Sequence, residues 1–460
     1  MNLFSKNEGC VGFNSSLDSK PEIKSGLQFL TFSISQWVIF NKILRVMKLT
    51  FILLIGLILK ASAEGFSQKV TYSGENVSLE TVFRVIKKQT GYGLFFQEEL
   101  FALAKPVTIN ASNEELSKVL VNVFKNQPLD FSIKNKTILV TGGTGSLGSK
   151  LIDRLLHTQS FGFKKIIIFS RDELKQSEMG TNYQVQVDAG KIEFILGDIR
   201  DVSCLSKALM GVDVVFHTAA LKHVPATENN PRECIKTNII GAMNLIDACL
   251  EQNVSKVIAL STDKAASPES VYGASKLISD KLFVDANKYS KTKFSIVRFG
   301  NILGSRGSVL PLFLEQKNKR SLTITHPEMT RFCITFNEAV NVLLFACEHC
   351  LGGEVLIPKS PSFHIEDLAD VVCIGCEKNY IGIRMGEKLH EDMITEDDAR
   401  NTWESDAYFI LLPNKHDAEI ELYWTRIFNA HKLEKSFCLR SDNNPTFLSK
   451  QELTTLIETV

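Results

Sequence analysis

The sequence lacks an excess of charge of either sign. Its 460 residues contain 52 Lys plus Arg and 52 Asp plus Glu, so the formal net charge is zero. A chain without a positive field does not attract polyanions, and no nucleic-acid partner is expected. Charged residues still make up 23% of the chain and hydrophobic residues 44%. This mixture excludes disordered, collagen-like and coiled-coil proteins, and the length predicts two or three domains.

The dense cysteine framework of a small secreted scaffold is missing too. Ten cysteines are spread over the chain, which is typical of a reducing compartment. Four of them form two C-x-x-C pairs, Cys347 with Cys350 and Cys373 with Cys376, a pattern that a structural zinc site would use. Because both pairs adjoin apolar helical stretches, we predict packing in the core without a metal ion, and zinc is the alternative.

A hydrophobic run long enough to span a membrane is also absent near the N-terminus. Residues 49–59 are apolar but shorter than the roughly 20 residues of a spanning helix. They follow three basic residues and precede a short small-residue segment, so residues 47–64 have the three parts of a secretory signal. No stable membrane span is expected, with a membrane anchor as the alternative. Residues 1–46 are an unassigned leader.

Residues 65–133 are predicted to form a small α+β domain. Apolar residues recur at i, i+3, i+4 and i+7 within 79–86 and 116–123, which predicts two amphipathic helices. Short alternating segments predict the strands that cover them, at 69–72, 93–96, 107–110 and 129–133. This region resembles the secretin and TonB N-terminal domain of Bacteroidetes outer-membrane nutrient receptors, which implies an interaction module without catalysis.

From residue 134 to 460 strands alternate with helical stretches, which predicts an α/β fold. We expect a Rossmann-type parallel sheet with a smaller C-terminal substrate-binding part. The expected strands are 138–141, 165–169, 191–196, 212–217, 256–261 and 294–299. The first is followed by TGGTGSLG, with Gly142, Gly145 and Gly148 at three-residue spacing. Such glycines allow a pyrophosphate to approach a helix N-terminus, so a dinucleotide cofactor is expected.

The residue after the second strand indicates which dinucleotide is bound. An enzyme for NAD usually has an acidic residue about 20 positions past the glycines, where it binds the ribose hydroxyls. Here the strand ends at Ser170 and Arg171 follows, and an arginine can pair with a 2′-phosphate. NADP is therefore preferred, although the adjacent Asp172 favours NAD. Asp198 follows the third strand, where an adenine-contacting loop is expected and a plain surface turn is the alternative.

Two further motifs carry proton-transfer groups. YGASK places Tyr272 and Lys276 four residues apart on one helix face, and a nearby ammonium lowers a tyrosine pKa. Thr262, Asp263 and Lys264 lie at the carboxyl end of the fifth strand, where open α/β sheets bind their ligands. A hydroxyl, a carboxylate and an amine beside a tyrosine indicate acid–base chemistry.

Together these segments resemble the UDP-N-acetylglucosamine 4,6-dehydratases of the extended short-chain dehydrogenase/reductase superfamily. The resemblance covers residues 135 to about 455 and is carried by LVTGGTGSLGSKL, FSRDELKQSEM, HTAALKHVP, LSTDKAASPESVYGASKLISDKLF, RFGNILGSRGSVLPLF and GIRMGEKLHEDMI. It is strongest to the inverting enzymes that open pseudaminic acid biosynthesis. A retaining dehydratase, a C5-epimerase of the same superfamily and a non-catalytic periplasmic binding protein are the alternatives.

The resemblance implies a hydro-lyase with tightly bound, recycled NADP. Tyr272 would take the proton of the sugar 4-hydroxyl while hydride leaves C4, and Thr262 would bind the 4-oxygen. Lys264 would remove the C5 proton and Asp263 would assist loss of the 6-hydroxyl as water. Hydride would then return to C6 with inversion at C5. Lys276 would hold the nicotinamide ribose and lower the pKa of Tyr272.

The resemblance also implies the binding residues, a cytoplasmic enzyme and a homo-oligomer. A cytoplasmic location conflicts with the signal-like segment, and the periplasm is the alternative. For the cofactor the implied residues are Gly142, Thr144, Gly145, Ser146, Leu147, Gly148, Ser170, Arg171, Asp198, Ile199, Ala219, Ala220, Tyr272 and Lys276. For UDP-N-acetylglucosamine they are Lys222, Asn301, Ser308, Arg331 and Glu387.

Two features qualify that substrate set. Arg331 has the strongest physical basis, because a guanidinium binds pyrophosphate through paired hydrogen bonds, whereas Lys222 and Asn301 equally fit ordinary polar loops. Met385 stands where the family has a proline, and the loss of that rigid residue puts the placement of the loop in question.

Overall fold

A computed structural model describes residues 69–90, 104–125, 127, 136–157, 163–289, 291–414 and 418–458. The leader, the signal-like segment and the strands predicted at 93–96 and 129–133 lie outside these residues. Within the described part of the chain, no helix is long and apolar enough to cross a membrane.

The described residues of the front unit form two antiparallel strands and two helices that alternate along the chain. Both predicted helices are present, and the two predicted strands that fall on described residues are present and longer than expected. Val82, Phe83 and Ile86 of the first helix and Val119 and Leu120 of the second are buried in one cluster, as their spacing predicts. The elements are β1 (Lys69–Val77), α1 (Leu79–Thr90), β2 (Val107–Glu115) and α2 (Leu116–Phe124).

A ten-stranded sheet forms the centre of the following body. All six predicted strands are confirmed, and they are β3 (Lys136–Thr141), β4 (Phe163–Ser170), β5 (Ile192–Leu196), β6 (Val214–His217), β7 (Lys256–Thr262) and β8 (Lys293–Phe299). They pair in parallel in the order β5-β4-β3-β6-β7-β8, the order of a dinucleotide-binding sheet. β12 (Val355–Pro358) extends the parallel part, and the antiparallel strands β17 (Tyr408–Leu411), β16 (Thr402–Glu404) and β18 (His431–Lys432) complete it.

Helices cover both faces of this sheet, which explains why its strands are apolar throughout. Alternate residues of β3 enter different cores, with Ile138 and Val140 in one hydrophobic cluster and Leu139 in the other. The helices here are α3 (Ser146–His157), α4 (Glu173–Asn182), α5 (Gln184–Asp188), α6 (Val202–Ala208), α7 (Val224–Asn229), α8 (Pro231–Cys234), α9 (Gly241–Glu251), α10 (Val271–Ala286), α12 (Phe336–His349), α14 (Glu396–Ala399) and α15 (Ala418–Phe428). A π-helical segment, Ile235–Ile240, joins α8 to α9.

The smaller C-terminal part has a third hydrophobic cluster of its own. Its helices are α11 (Val309–Lys317), α13 (Ile365–Val372) and α16 (Lys450–Glu458), and its strands are β9 (Asn301–Ile302), β10 (Ser321–Ile324), β11 (Thr330–Ile334), β13 (Ser362–His364), β14 (Glu377–Tyr380), β15 (Asp392–Ile394) and β19 (Leu439–Arg440). The loop before β15 reaches the sheet, because Lys388 Nζ donates to the carbonyl of Ala266 at 3.2 Å. This places residues of the C-terminal part beside the end of β7.

The four cysteines of the C-x-x-C pairs lie in two different places. Cys347 and Cys350 are buried in a cluster against the sheet, and their carbonyls accept hydrogen bonds from Lys256 Nζ at 2.9 and 2.7 Å. Cys373 and Cys376 form a disulfide after α13 and pack on the C-terminal cluster. Two pairs in separate cores do not form one four-cysteine site. Among the described residues, no group of three or more His, Cys, Asp or Glu side chains is arranged to hold a metal ion.

Candidate active site

The predicted site residues converge because most of them follow the carboxyl ends of parallel strands. The glycine-rich loop follows β3, Arg171 follows β4, Asp198 follows β5, Ala219 follows β6 and Asp263 follows β7. Neighbouring parallel strands bring these ends to one edge of the sheet. The topology therefore assembles residues that lie far apart in the sequence.

The glycine-rich loop has the close backbone packing that a dinucleotide site requires. Gly142 has a φ of +66°, and a Cβ there would lie 2.9 Å from the backbone of Ala219. A Cβ on Gly148 would lie 2.6 Å from the carbonyl oxygen of Gly142. The loop turns through a Gly145 N–H bond to the Gly142 carbonyl at 2.8 Å and continues into α3, which begins at Ser146. An exposed helix N-terminus behind glycines fits the pyrophosphate of a nicotinamide dinucleotide.

The structure separates the roles of the two charged residues after β4. The carboxylate of Asp172 caps α4, accepting from the Lys175 backbone N–H at 3.1 Å. The hydrogen bonds from Lys175 lower the pKa of Asp172. Arg171 is exposed, and its guanidinium is 3.8 Å from the Asp198 carboxylate. Asp198 also accepts from Arg200 Nη2 at 2.7 Å. Arg171 thus carries a guanidinium that can reach an incoming anion, whereas Asp172 is engaged by its own helix.

The other predicted cofactor residues lie near the carboxyl ends of the same parallel strands. Ser170 accepts from Gln176 Nε2 at 2.9 Å, and Ile199 is buried against the helix that begins at Gly241. The Ala219 N–H points to Thr141 Oγ1 at 3.4 Å. Thr144, Ser146 and Leu147 belong to the loop and first turn after β3, and Ala220 is exposed after β6.

The end of β7 brings a buried acid and a lysine into contact. Asp263 is fully buried, and its Oδ1 accepts from Thr262 Oγ1 at 3.0 Å and from Lys264 Nζ at 3.1 Å. Burial raises the pKa of Asp263, and the nearby charge of Lys264 opposes that rise. Asp263 Oδ2 is buried and has no hydrogen-bond partner among the described residues. Burial therefore favours the protonated form of this carboxyl group, and the charge of Lys264 favours the carboxylate.

A second carboxylate, absent from the sequence-based prediction, holds the other side of Lys264. Glu391 Oε1 lies 2.8 Å from Lys264 Nζ and 3.5 Å from Arg331 Nε. Although burial lowers the pKa of Lys264, the charges of Asp263 and Glu391 outweigh it and raise that pKa. Burial acts to raise the pKa of Glu391, but Lys264 and Arg331 hold it below its usual value. Lys264 therefore lies between two carboxylates.

Tyr272 and Lys276 share one face of α10, as predicted. Burial raises the pKa of Tyr272 to about 12, while the charge of Lys264 and a hydrogen bond from Thr262 act in the opposite direction. The effect of Lys276 on this pKa stays a prediction. The charge of Lys276 is coupled to that of Asp280, one turn further along α10, and burial lowers the pKa of Lys276 itself.

The predicted substrate residues fall into two groups. Asn301 Oδ1 and Ser308 Oγ are buried atoms without a hydrogen-bond partner in the described structure, so they can bind a ligand. Arg331 is engaged, since its Nη atoms donate to the carbonyls of residues 330, 388 and 389 at 2.7–3.0 Å. Glu387 pairs with Arg384 Nε at 2.9 Å, and Lys222 is exposed. The role of Arg331 at a pyrophosphate therefore stays a prediction.

Glu391 is the functional residue that sequence reasoning missed. It lies in GEKLHED, a segment that contributed to the family resemblance, but its spacing from the other charged residues does not distinguish it. Its contact with Lys264 depends on how the loop before β15 packs against the end of β7. Asp280 was also missed, although it lies four residues after Lys276 on α10 and that spacing is visible in the sequence. It is buried beside Lys276 and accepts from Ser261 Oγ at 2.5 Å.

The strand order, the glycine-rich loop and the Tyr272–Lys276 helix define a class of protein. This is a Rossmann-type α/β protein of the extended short-chain dehydrogenase/reductase class. Residues 138–413 match the polysaccharide biosynthesis protein family, and the chain belongs to that family. The site and the hydrophobic clusters of the central sheet and of the C-terminal part lie in this matched region and the segment after it.

Relatives and solved structures agree with this assignment. UDP-N-acetylglucosamine 4,6-dehydratase (inverting) of Campylobacter jejuni is 46% identical over 333 residues, covering 70% of this chain and 97% of the relative. UDP-glucose 4-epimerase of Rickettsia canadensis is 38% identical over 299 residues, covering 63% and 86%. The X-ray structure of Pen from Bacillus thuringiensis is 34% identical with a TM-score of 0.64, covering 71% and 99%.

Proposed function

We propose that the chain is a UDP-N-acetylglucosamine 4,6-dehydratase that inverts C5, an NADP-dependent hydro-lyase. The observation that carries the proposal is the contact between Asp263 and Lys264 beside Tyr272. Elimination of water across C5–C6 needs a base at C5 and an acid at the 6-hydroxyl, and these two side chains supply both. The 46% identity to the inverting enzyme of Campylobacter jejuni supports the same reaction.

The proton steps can be written with this chain's own residues. Tyr272, acting as the phenolate, accepts the proton of the sugar 4-hydroxyl, and the Thr262 hydroxyl binds the same oxygen. A proton shift from Lys264 Nζ to Asp263 Oδ1, over 3.1 Å, produces a neutral amine and a carboxylic acid without changing the total charge. The chemistry that NADP supplies when bound is to accept the hydride from C4 and to return it later. Lys264 then takes the C5 proton, the C5–H electrons form the C5–C6 double bond, and Asp263 gives its proton to the departing 6-hydroxyl. Hydride return to C6 and protonation of C5 from the opposite face complete the 4-keto-6-deoxy sugar.

The same two residues distinguish this function from a 4-epimerase. Epimerisation at C4 needs a group that moves the 4-hydroxyl proton and no acid–base pair at C5 and C6. The contact between the fully buried Asp263 and Lys264 supplies an acid and a base of this kind. Burying a carboxylate costs free energy unless it is paired or used, which favours the dehydratase.

The test is NMR spectroscopy of UDP-N-acetylglucosamine incubated with the purified chain in deuterated solvent without added reductant. We expect a 4-keto-6-deoxy product with an inverted, deuterated C5. A 4-keto-6-deoxy product with the original configuration would identify a retaining enzyme. UDP-N-acetylgalactosamine as the product would identify a 4-epimerase, and unchanged substrate with folded protein that carries the cofactor would contradict the proposal.

The preference for NADP is part of the proposal. It rests on the exposed guanidinium of Arg171 after β4 and on the engagement of Asp172 by α4. The planar guanidinium can pair with the doubly charged 2′-phosphate through two parallel hydrogen bonds. An aspartate that already caps a helix is not free to accept from the ribose hydroxyls that NAD carries at the same place.

Replacing Arg171 should therefore change the cofactor preference. In Arg171→Ala, NADP affinity should fall by about 10- to 100-fold, because one charged hydrogen-bonding group is worth about 1.5–3 kcal/mol. NAD affinity should change little. Isothermal titration with both dinucleotides measures this, with Arg426→Ala, an exposed arginine of α15, as the control. Equal losses for both cofactors would show that Arg171 does not recognise the 2′-phosphate.

We also propose a cytoplasmic homo-oligomer whose residues 65–133 are related to the secretin and TonB N-terminal domain. The strand–helix–strand–helix order of the front unit supports that relation, and nucleotide sugars and NADP are cytoplasmic metabolites. Cell fractionation with light scattering of the purified chain tests both points. A periplasmic product cleaved after Ala63 would overturn the location, and a monomer at working concentration would overturn the assembly.

A further inference from the structure

Glu391 is held in place by its backbone N–H, by its backbone carbonyl and by its side chain. Its backbone N–H donates to Ser441 Oγ at 2.9 Å and its carbonyl accepts from the Ser441 N–H at 2.8 Å. Its side chain is 2% exposed, and Oε1 faces both Lys264 Nζ and Arg331 Nε. A carboxylate held by its own backbone in this way has a fixed position relative to the lysine.

The second oxygen of Glu391 is not satisfied. Oε2 is buried and has no hydrogen-bond partner among the described residues, and the same is true of Asp263 Oδ2. Buried polar atoms in folded proteins are nearly always hydrogen-bonded, because an unmade bond costs free energy. A purely structural ion pair would be expected to use both oxygens. Each of the two carboxylates around Lys264 has one oxygen without a hydrogen bond, which indicates that they serve a function beyond stability.

We propose that Glu391 is a positioning residue that orients Lys264 Nζ and sets its protonation state for removal of the sugar C5 proton. This inference rests on the proposed dehydratase function. Once Lys264 has passed a proton to Asp263, the neutral amine still donates one N–H to Glu391 Oε1. That hydrogen bond fixes the rotation of the amine, so its lone pair stays in one direction while the C5 proton is transferred.

The charges around Lys264 determine the sign of the pH effect. The groups that face it are Asp263, Glu391, Arg331 of β11 and Tyr272 of α10, and Lys388 lies near Glu391. The negative charge of Glu391 raises the pKa of both Lys264 and Asp263. The pair formed by Asp263 and Lys264 is active when its two side chains share one transferable proton. Removing the charge of Glu391 should therefore move both limbs of the pH profile to lower pH.

The test compares pH profiles of UDP-N-acetylglucosamine dehydration for the wild-type chain and Glu391→Gln, which keeps the shape and removes the charge. We expect both limbs of kcat to move down by about 1–3 pH units. We also expect kcat at the wild-type optimum to fall by about 10- to 100-fold through misorientation of the amine, with KM nearly unchanged. Deuterium incorporation at C5 should slow to the same extent as dehydration.

Two further variants separate this role from a structural one. Glu354→Gln removes another fully buried carboxylate, which accepts hydrogen bonds from the Ser295 hydroxyl and from backbone N–H groups. This variant should lower the melting temperature and leave both limbs of the pH profile at their wild-type pH. Glu391→Asp keeps the negative charge but moves it away from Lys264, because its side chain is shorter. The limbs of its pH profile should therefore lie between those of the wild type and those of Glu391→Gln.

The outcomes separate failure of the inference from failure of the function. An inactive wild-type chain would refute the dehydratase itself. An active wild type with unshifted limbs in Glu391→Gln would overturn the inference. If Glu391→Gln does not fold, wild-type limbs and wild-type kcat in Glu391→Asp would overturn it instead.

Discussion

In Lys264→Met, dehydration of UDP-N-acetylglucosamine is expected to fall by about 100- to 10,000-fold, the usual effect of removing a general base. Oxidation at C4 should continue at a reduced rate, because Tyr272 remains in place but loses the nearby charge of Lys264 that lowers its pKa. The variant should fold, since Asp263 is buried where protonation is favourable and Glu391 keeps Arg331 as a partner. NMR spectroscopy should then show a 4-keto sugar that retains its 6-hydroxyl and exchanges C5 slowly, in an amount no greater than that of the bound cofactor, because the hydride is not returned to C6.

Lys256→Met is the matched control for this variant. Lys256 begins the strand that Lys264 follows, at the opposite edge of the sheet, where it bonds to carbonyls of the C-x-x-C segment. It should lower stability without changing the products. If Lys264→Met lost oxidation at C4 and dehydration to the same degree, Lys264 would act in binding and not at C5.

Tyr272→Phe is expected to lower dehydration by a comparable factor, about 100- to 10,000-fold, for a different reason. Without the phenol the 4-hydroxyl has no proton acceptor, so no 4-ketone forms and the C5 proton does not become acidic. Oxidation, deuterium incorporation at C5 and loss of water should therefore decline together. Progress curves followed by NMR spectroscopy in deuterated solvent measure all three.

Tyr289→Phe provides the comparison for that variant. Tyr289 follows the same helix, is 69% exposed and bonds to Asp285, so its hydroxyl should be dispensable. Affinity for UDP-N-acetylglucosamine should be similar in both variants and the wild type. C5 exchange at the wild-type rate in Tyr272→Phe would show that another group removes the 4-hydroxyl proton.

Local patterns were sufficient for much of the fold. The strands from β3 to β8 are continuous apolar runs bounded by turns, and their positions agree with the structure to within a few residues. The antiparallel strands at one side of the sheet, β16, β17 and β18, were not predicted. These strands are only two to four residues long, too short for a period-two pattern to distinguish them from loops.

The chemistry of the site divides in the same way. Thr262, Asp263 and Lys264 are consecutive, and Tyr272 and Lys276 are one helical turn apart, so local geometry brings each group together.

The disulfide between Cys373 and Cys376 was not predicted, because a C-x-x-C spacing fits free thiols, a disulfide or a metal equally.

The sequence by itself determined the parallel sheet, the glycine-rich loop and the grouping of Thr262 with Asp263 and Lys264 and of Tyr272 with Lys276, because each depends on spacing within one strand, turn or helix. Only the tertiary structure decided which charges surround them. Glu391 meets Lys264 because the C-terminal part packs its loop against the end of β7, and Arg331 is engaged by that same loop. Electrostatic interactions depend on distance and burial in space, and the separation of residues along the chain does not encode either.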